Sequence, residues 1–170
     1  MNHFVFSVPT TIFFGEGQVR AFAEAVKSYG DKALIVFGGG SIKKNGIYDE
    51  ITSALHAAGV KTVDHGGIEP NPRIDSVRAG IALVKQEGVD VIVPIGGGSS
   101  IDAAKLIAAG TLTPGDPWTI VKKEVAVKDA LPLCAVLTLA ATGSEMDTAS
   151  VITNPETKEK LGWKSSKVLP

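Results

Sequence analysis

The sequence is poor in cysteine, because Cys134 is the only one among 170 residues. A lone cysteine cannot form a disulfide within the chain, which is typical of proteins that fold in a reducing compartment. Neither sign of charge is in excess, since 17 basic and 18 acidic residues leave a net charge of −1. The sequence therefore lacks the basic surplus of nucleic-acid-binding proteins and the acidic tail of disordered ones. We expect a cytoplasmic protein that has no nucleic-acid partner.

Long apolar runs are missing as well. No segment approaches the ~20 apolar residues that a transmembrane helix needs. The N-terminus has no basic stretch followed by a long apolar run, as a signal peptide would have. The sequence therefore predicts a soluble protein without a membrane partner.

Recognisable catalytic constellations are also lacking. His3, His56 and His65 do not have the spacing of metal ligands. No Ser–His–Asp set and no carboxylate pair suited to acid–base catalysis is visible. Cys134 lies in an apolar stretch without a neighbouring His or Lys, which is typical of a core residue rather than a nucleophile. We therefore predict neither a catalytic residue nor a metal site in this chain.

What the sequence does contain is a regular alternation of apolar runs and helical periods. The predicted strands are 32–37, 60–65, 91–95 and 133–139, and the predicted helices are 18–28, 47–58, 74–86 and 99–109. This alternation indicates βαβ units and predicts an α/β fold with a Rossmann-like, doubly wound, mainly parallel sheet. A short N-terminal β pair is predicted at 4–8 and 11–14, interrupted by Pro9.

The chain is long enough for one domain with a real core, and we expect residues 1–170 to form a single dinucleotide-binding domain. The polar segment 114–130 is predicted to be a connecting loop with an ordered Trp118. No closing helix follows the turn at 154–155, which suggests part of a longer polypeptide. Pro94 inside the third strand is unexpected, because proline cannot donate to a β ladder.

The most informative segment is the glycine run Gly96, Gly97 and Gly98, between the strand 91–95 and a helix. Glycines let the backbone turn sharply and leave no side chain to keep an anion away. The helix behind them presents unpaired N–H groups and the positive end of its dipole, which favour a phosphate. The alternative is a tight strand-to-helix turn that binds nothing.

A second glycine run, Gly38 to Gly40, follows the first long strand. In NAD-binding units an acidic residue near this edge commonly binds the ribose hydroxyls. Ser41, Lys43 and Lys44 stand here instead, and they suit an additional phosphate, which a carboxylate would repel. The alternative is a solvated helix start with two surface lysines.

A third segment, 137–147, is rich in hydroxyl groups. Thr138, Thr142 and Ser144 surround a glycine at the end of a predicted strand, where hydroxyls and amides suit ribose or pyrophosphate oxygens. Ser144 could equally cap a helix, and Asp102 could complete a capping box in the preceding helix.

Taken together, the segments at 38–41, 96–105 and 137–145, the opening motif at 6–17 and the Glu-Pro-Asn-Pro at 69–72 resemble the iron-dependent, group III alcohol dehydrogenases. Within that family the chain looks closest to the branch of NADPH-dependent butanol dehydrogenases and aldehyde reductases. The resemblance covers the whole chain but only the first half of such an enzyme, its dinucleotide-binding domain. It implies that one Asp and three His beyond the end of this chain hold the metal.

The resemblance implies NADP(H) as the cofactor and thirteen residues that bind it. They are Gly38, Gly39, Ser41, Asn71, Gly97, Gly98, Ser99, Asp102, Thr138, Thr142, Ser144, Asp147 and Lys160. Gly97, Gly98 and Ser99 are implied to hold the pyrophosphate, and Asp102 to lie near the nicotinamide ribose and carboxamide.

On the adenosine side, the resemblance places Gly38, Gly39 and Ser41 around the ribose and its 2′-phosphate. Asn71 is implied to lie beside them, and Thr138 to flank the adenine.

The remaining contacts come from the C-terminal part of the chain. Thr142 and Ser144 are implied to contact the pyrophosphate and ribose, and Lys160 a ribose hydroxyl. Asp147 and Ala149 stand where close relatives of this branch carry Asn and Gly.

By resemblance, we expect the NADP(H)-binding half of a metal-dependent alcohol dehydrogenase or aldehyde reductase, which positions the nicotinamide for hydride transfer. An alcohol or aldehyde substrate and a divalent metal, Fe or Zn, are expected only in a full-length enzyme. The chain alone is expected to be inactive and to form a homo-oligomer such as a dimer. The alternatives are a domain like that of dehydroquinate synthase or glycerol-1-phosphate dehydrogenase, and a non-catalytic nucleotide-binding module.

Overall fold

The computed structural model describes residue 3 and residues 8–170. Its strands are β1 (Lys32–Phe37), β2 (Lys61–His65), β3 (Val91–Gly96), β4 (Val136–Leu137), β5 (Ala149–Asn154) and β6 (Glu159–Lys164). Its α-helices are α1 (Val19–Lys27), α2 (Ser41–Lys44), α3 (Ile47–Ala57), α4 (Ile74–Glu87), α5 (Gly98–Leu112) and α6 (Trp118–Val121). Two 3-10 turns follow at Ser144–Met146 and Ser166–Val168.

Four strands form a parallel sheet in the order β2-β1-β3-β4, and β5 pairs with β6 in an antiparallel ribbon. The register aligns the carboxyl ends of the central strands, because Phe37 pairs with Ile95 and Val36 pairs with His65. The glycine runs after β1 and in β3 therefore lie at one edge of the sheet. In open α/β sheets this edge is where ligands bind.

Helices cover both faces of the sheet. Leu34 and Val36 of β1 point to one face and pack in a core with α4 and α5, whereas Ile35 and Phe37 point to the other and pack with α1 and α3. Strands buried on both faces have continuous apolar sequences rather than alternating ones. This explains why the run 32–37 identified β1 so clearly.

The four long helices and the first three strands are confirmed, with shifts of at most three residues at their ends. The largest shift is in α5, which begins at Gly98 and continues to Leu112. The α/β fold and the parallel sheet are therefore as expected. In the part of the chain that the structure describes, no helix has both the length and the apolar character needed to span a membrane.

The prediction of a β pair at the N-terminal end is wrong. Residues 4–7 lie outside the described residues, and the segment 11–14 has no strand conformation. The antiparallel pair is instead β5 with β6, near the C-terminal end. In β5, Ser150, Ile152 and Asn154 are buried in alternation, the period of a strand with one covered face. A strand-like composition at 11–14 is not enough to form a strand, because β propensity depends on context.

The last predicted strand, 133–139, is shorter than expected. Only Val136–Leu137 forms β4, and a single bridge joins Ile92 to Leu133. Ile92 donates its N–H to Pro132 and accepts one from Cys134 at 3.1 Å. Pro94 lies two residues further along the same side of β3 and has no N–H to donate, so the ladder is interrupted there.

The segment 114–130 is not simply a loop, because it contains α6. Trp118, Ile120 and Val121 are buried in the core beside α4 and α5. The Trp118 N–H donates to Oδ1 of Asp116 at 2.7 Å, which starts the short helix.

Candidate functional site

The centre of the site is the turn from β3 into α5. A Cβ built on Gly96 would lie 2.6 Å from Oγ of Ser100, and one on Gly98 would lie 2.7 Å from Oγ1 of Thr142. Only glycine fits at either position without displacing its neighbour. The close approach of Thr142 to Gly98 brings two predicted site residues together over the start of the helix.

The N-terminus of α5 suits an anion. The helix is 15 residues long, has no acidic residue in its first turn, and begins after Gly97, which has no side chain that could cap it. Its first N–H groups therefore point out of the helix at its positive end. A phosphate or pyrophosphate at this place would supply the missing acceptors.

Three predicted site residues from separate segments form a hydrogen-bonded chain beside this helix. The N–H of Asn71 donates to Oγ of Ser99 at 3.3 Å, and Nζ of Lys160 donates to Oδ1 of Asn71 at 2.5 Å. Asn71 has a φ of +59°, a left-handed conformation that asparagine tolerates better than most residues. The structure thus places one ammonium group near the start of α5.

Asp102, on α5, is held at both carboxylate oxygens by the chain itself. Oγ of Ser144 donates to Oδ1 at 2.7 Å, and the N–H of Val151 donates to Oδ2 at 2.9 Å. Burial raises the pKa of Asp102 above its ordinary value, while these two hydrogen bonds and the charge of Lys105 act in the opposite direction. Asp102 therefore joins α5 to the Ser144 turn and the start of β5.

Lys105 is the largest fully buried side chain of the described residues, and it was not predicted from the sequence as part of the site. Its Nζ atom donates to Oγ of Ser144 and to Oδ1 of Asp147, at 3.0 and 2.7 Å. It also reaches the carbonyl oxygens of Asp147 and Ala149, at 2.9 and 2.8 Å. The available signal was a lysine inside an otherwise apolar helical stretch at 103–109.

The second glycine run leads from β1 into the short helix α2. Gly40 has a φ of +92°, which glycine adopts without strain, and Ser41 begins the helix. Nζ of Lys43 lies 3.0 Å from Oδ2 of Asp64 and 4.3 Å from the ring centre of Tyr48. Lys43 is therefore already paired, and it is not the free cation that the sequence suggested.

Asp64 is a residue that the sequence reasoning also missed. It lies in β2 and accepts the hydroxyl of Tyr48 at both oxygens, at 2.8 and 2.9 Å. Burial, with Asp64 adding to it, raises the pKa of Tyr48 to about 12, so this hydroxyl stays a donor. No acidic residue follows β1 directly, but the adjacent strand β2 carries Asp64, which contacts Lys43 of α2.

The structure unites the predicted residues into two groups. Around α5, the members are connected by the contacts described above, and the N–H of Thr138 donates to the carbonyl of Gly96 at 3.1 Å. Gly38, Gly39 and Ser41 lie at the end of the neighbouring strand. Among the described residues, these three make no hydrogen bond to the α5 group.

In the described ranges, 3 and 8–170, no three or more His, Cys, Asp or Glu side chains come together as a possible metal site. His56 contacts Oγ1 of Thr62, and His65 contacts the carbonyl of Ser76, in separate places. Burial raises the pKa of Cys134 to about 11, which disfavours the reactive thiolate. The described residues therefore do not fit the metal that the resemblance implies.

An open parallel sheet with helices on both faces, and with glycine turns at its carboxyl edge, is the architecture of the doubly wound α/β class. The chain belongs to the iron-containing alcohol dehydrogenase family, whose sequence profile matches residues 9–170. The resemblance drawn from the three motifs is thereby confirmed.

Relatives and solved structures agree on the branch. The chain is 50% identical over 170 residues to the probable NADH-dependent butanol dehydrogenase 1 of Bacillus subtilis, covering 100% of this chain and 44% of that protein. It is 39% identical over 175 residues to the NADPH-dependent aldehyde reductase YqhD of Escherichia coli, with the same coverage. The crystal structure of NADH-dependent butanol dehydrogenase A from Thermotoga maritima superposes with a TM-score of 0.94 at 43% identity, covering 100% of this chain and 43% of that one. The chain thus spans less than half the length of these relatives.

Proposed function

We propose that residues 1–170 form one domain that binds a nicotinamide dinucleotide, NADPH in preference to NADH, and positions it for the oxidation of an alcohol or the reduction of an aldehyde. The observation that supports this most directly is the uncapped start of α5 behind Gly97, with Thr142 packed against Gly98. The relatives add support, because their names describe dehydrogenases and reductases that depend on NADH or NADPH.

The pyrophosphate belongs at the start of α5. Gly97 and Gly98 leave room for its oxygens, and the first N–H groups of the helix donate to them. Ser99 and Thr142 add hydroxyl donors on two sides. The ammonium of Lys160, which donates to Oδ1 of Asn71 at 2.5 Å, is assigned to a ribose hydroxyl.

The nicotinamide end is assigned to Asp102, Ser144 and Asp147. When bound, the cofactor supplies or accepts a hydride at the nicotinamide ring. The residues of this chain only orient that ring. Asp102 accepts the hydroxyl of Ser144 at 2.7 Å and thereby fixes the Ser144 turn beside the start of β5. The side chain of Asp147 is 45% exposed and is therefore accessible to a ligand.

The preference for NADPH follows from the end of β1. A 2′-phosphate would find space beside Gly39 and Gly40 and a hydroxyl on Ser41. No carboxylate stands at these three positions to repel the phosphate. Asp64, on the adjacent strand, is paired with Lys43 at 3.0 Å, so much of its charge is compensated. The relatives differ on this point, since four butanol dehydrogenases are named NADH-dependent and YqhD is named NADPH-dependent.

For the whole protein, we propose the activity of an alcohol dehydrogenase or aldehyde reductase with an alcohol or aldehyde substrate and a divalent metal, iron or zinc. The described residues supply no metal cluster. We therefore expect the 170-residue chain to bind the cofactor but to show no turnover with NADPH, butyraldehyde and added Fe²⁺ or Zn²⁺. Self-association is part of this proposal, because Ile12 and Phe14 are 61% and 93% exposed.

The test is a fluorescence titration of the chain with NADPH and with NADH. Gly98→Val should weaken NADPH binding at least about tenfold, or about 1.4 kcal/mol, because the new side chain fills the space beside Thr142. Gly162→Ala is the matched control, since its Cβ would meet only Cγ2 of Val151, at 4.0 Å. Absence of NADPH binding by the unmodified chain, or equal binding by Gly98→Val, contradicts the proposal.

A further inference from the structure

We propose that Lys105 is a positioning residue, whose buried ammonium holds the segment 144–149 on α5 and thereby sets the affinity for the nicotinamide half of the cofactor. This inference rests on the proposed function, because the segment is assigned to the nicotinamide end. Lys105 itself is not assigned any contact with the cofactor.

The first observation is how many groups converge on one ammonium. Four oxygens lie within 3.0 Å of Nζ of Lys105, and they come from Ser144, Asp147 and Ala149. An ammonium has three protons, so at least one of them is shared between two acceptors. Two of the four oxygens are backbone carbonyls, so the backbone of the segment 144–149 itself contacts the ammonium.

The second observation is the burial of this charge. The side chain of Lys105 is 0% exposed, although lysine is rarely buried without a partner. Moving an ammonium into the interior is strongly unfavourable unless its protons are bound by good acceptors. The conformation of the segment 144–149 is therefore determined by the need to surround Nζ.

The third observation links the four oxygens around Nζ of Lys105 to the nicotinamide end of the candidate site. Ser144 accepts from Lys105 and donates to Oδ1 of Asp102 at 2.7 Å, so the ammonium orders a chain of two hydrogen bonds. Asp147 presents one oxygen to Lys105 and to the N–H of Ala149, at 2.7 and 2.9 Å. Without the ammonium, the two carbonyls and this carboxylate lose their common donor, and the segment must rearrange to reach water.

The expected consequence is a loss of affinity that depends on which part of the cofactor is probed. If the binding conformation of 144–149 is populated only fractionally, the apparent dissociation constant rises by the inverse of that fraction. The adenosine side is assigned to Gly38, Gly39 and Ser41, in a different part of the edge. A ligand that contains only the adenosine with its 2′- and 5′-phosphates lacks the nicotinamide half and should therefore not sense Lys105.

The experiment compares NADPH with adenosine 2′,5′-bisphosphate on the unmodified chain and on three variants. Lys105→Met keeps the length of the side chain and removes the ammonium, and Lys105→Gln keeps one NH₂ donor. Lys122→Met is the matched control, because this lysine is exposed and pairs only with Glu124, at 2.6 Å. The unmodified chain must bind NADPH; if it does not, the proposed function fails independently of the variants.

We expect Lys105→Met to weaken NADPH about tenfold or more, Lys105→Gln to weaken it less, and Lys122→Met to leave it unchanged. The affinity for adenosine 2′,5′-bisphosphate should stay within about twofold in every variant that folds. An unchanged NADPH affinity in Lys105→Met, or an equal loss for both ligands, overturns the inference, because the second result describes a general loss of structure.

A second measurement needs no variant, in case the substitutions prevent folding. Hydrogen exchange of the unmodified chain should slow at the amides of Met146 and Ala149 on addition of NADPH but not of adenosine 2′,5′-bisphosphate. Slowing by both ligands, or by neither, overturns the inference.

Discussion

The Nζ atom of Lys105 lies 2.7 Å from Oδ1 of Asp147, and the lysine is fully buried whereas the aspartate is 45% exposed. The two side chains therefore differ in the hydrogen-bond partners that they keep when the other side chain is removed. Lys105 has three further acceptors within 3.0 Å, while Asp147 can turn to water. The pair joins the middle of α5 to a turn that starts some 40 residues later in the chain.

The asymmetry predicts unequal effects on stability. Lys105→Met should lower the free energy of unfolding by about 3 kcal/mol, because it leaves the carbonyls of Asp147 and Ala149 without the donor that they share. Asp147→Ala should cost only about 1 kcal/mol, since solvent screens the half-exposed carboxylate and the other acceptors still hold the ammonium. Urea denaturation measures both values, and equal losses would show that the pair is not asymmetric.

The second prediction concerns the cofactor. A charge-assisted hydrogen bond is worth ~1.5–3 kcal/mol, so NADPH should bind roughly ten- to hundredfold more tightly than NADH. Ser41→Asp should abolish or reverse this ratio, because its carboxylate repels the 2′-phosphate. Titration at two salt concentrations checks the mechanism, since added salt should reduce the preference. Tighter binding of NADH by the unmodified chain would refute the proposed preference.

The third prediction is a pH dependence of stability. Nε2 of His65 lies 2.9 Å from the carbonyl of Ser76 and must carry the proton to donate to it. Burial lowers the pKa of His65 below its ordinary value, and the bond to Ser76 only partly opposes this shift. Between the ordinary and the lowered pKa, the unfolded chain binds the proton first, so stability is lost as the pH falls below about 6.5.

His65→Gln should flatten this dependence. The measurement is urea denaturation at pH 7.5 and at two lower values, for the unmodified chain and the variant. The slope due to one histidine cannot exceed about 1.4 kcal/mol per pH unit. A variant with an undiminished slope would assign the pH dependence to other groups.

The fourth prediction concerns Cys134. Because burial raises its pKa to about 11, its thiolate fraction at pH 8 is about a hundredfold below that of a free thiol. Its reaction with Ellman's reagent should be slower by about the same factor in the folded chain, and it should reach the free-thiol rate in urea. Equally fast labelling in both states would show that the thiol is accessible and ionised.

Much of the fold was predictable because its signals are local. The strand 32–37 is apolar throughout since both of its faces are covered, and the glycine turn after β3 is recognisable from three consecutive residues. The same is true of α4, whose buried positions follow a helical period and whose end is marked by Gly88 in a left-handed conformation.

What escaped prediction depends on contacts between distant residues. Lys43 looked like a free cation in the sequence, and only the pairing of β1 with β2 brings Asp64 to it. The role of Lys105 could not be predicted from the sequence, because its acceptors lie 39 to 44 residues further along the chain. A strand was predicted through 133–139, although Pro94 on the neighbouring strand interrupts that ladder.

The central claim is that a nicotinamide dinucleotide binds across the carboxyl edge of the sheet, at the start of α5. The most direct measurement is an NMR titration of the ¹⁵N-labelled chain with NADPH. The account predicts that the largest amide shifts fall on residues 96–100, 38–41 and Asn71, with little change in α1. No shifts at millimolar NADPH, or shifts confined to the exposed apolar segment around Phe14, would contradict it.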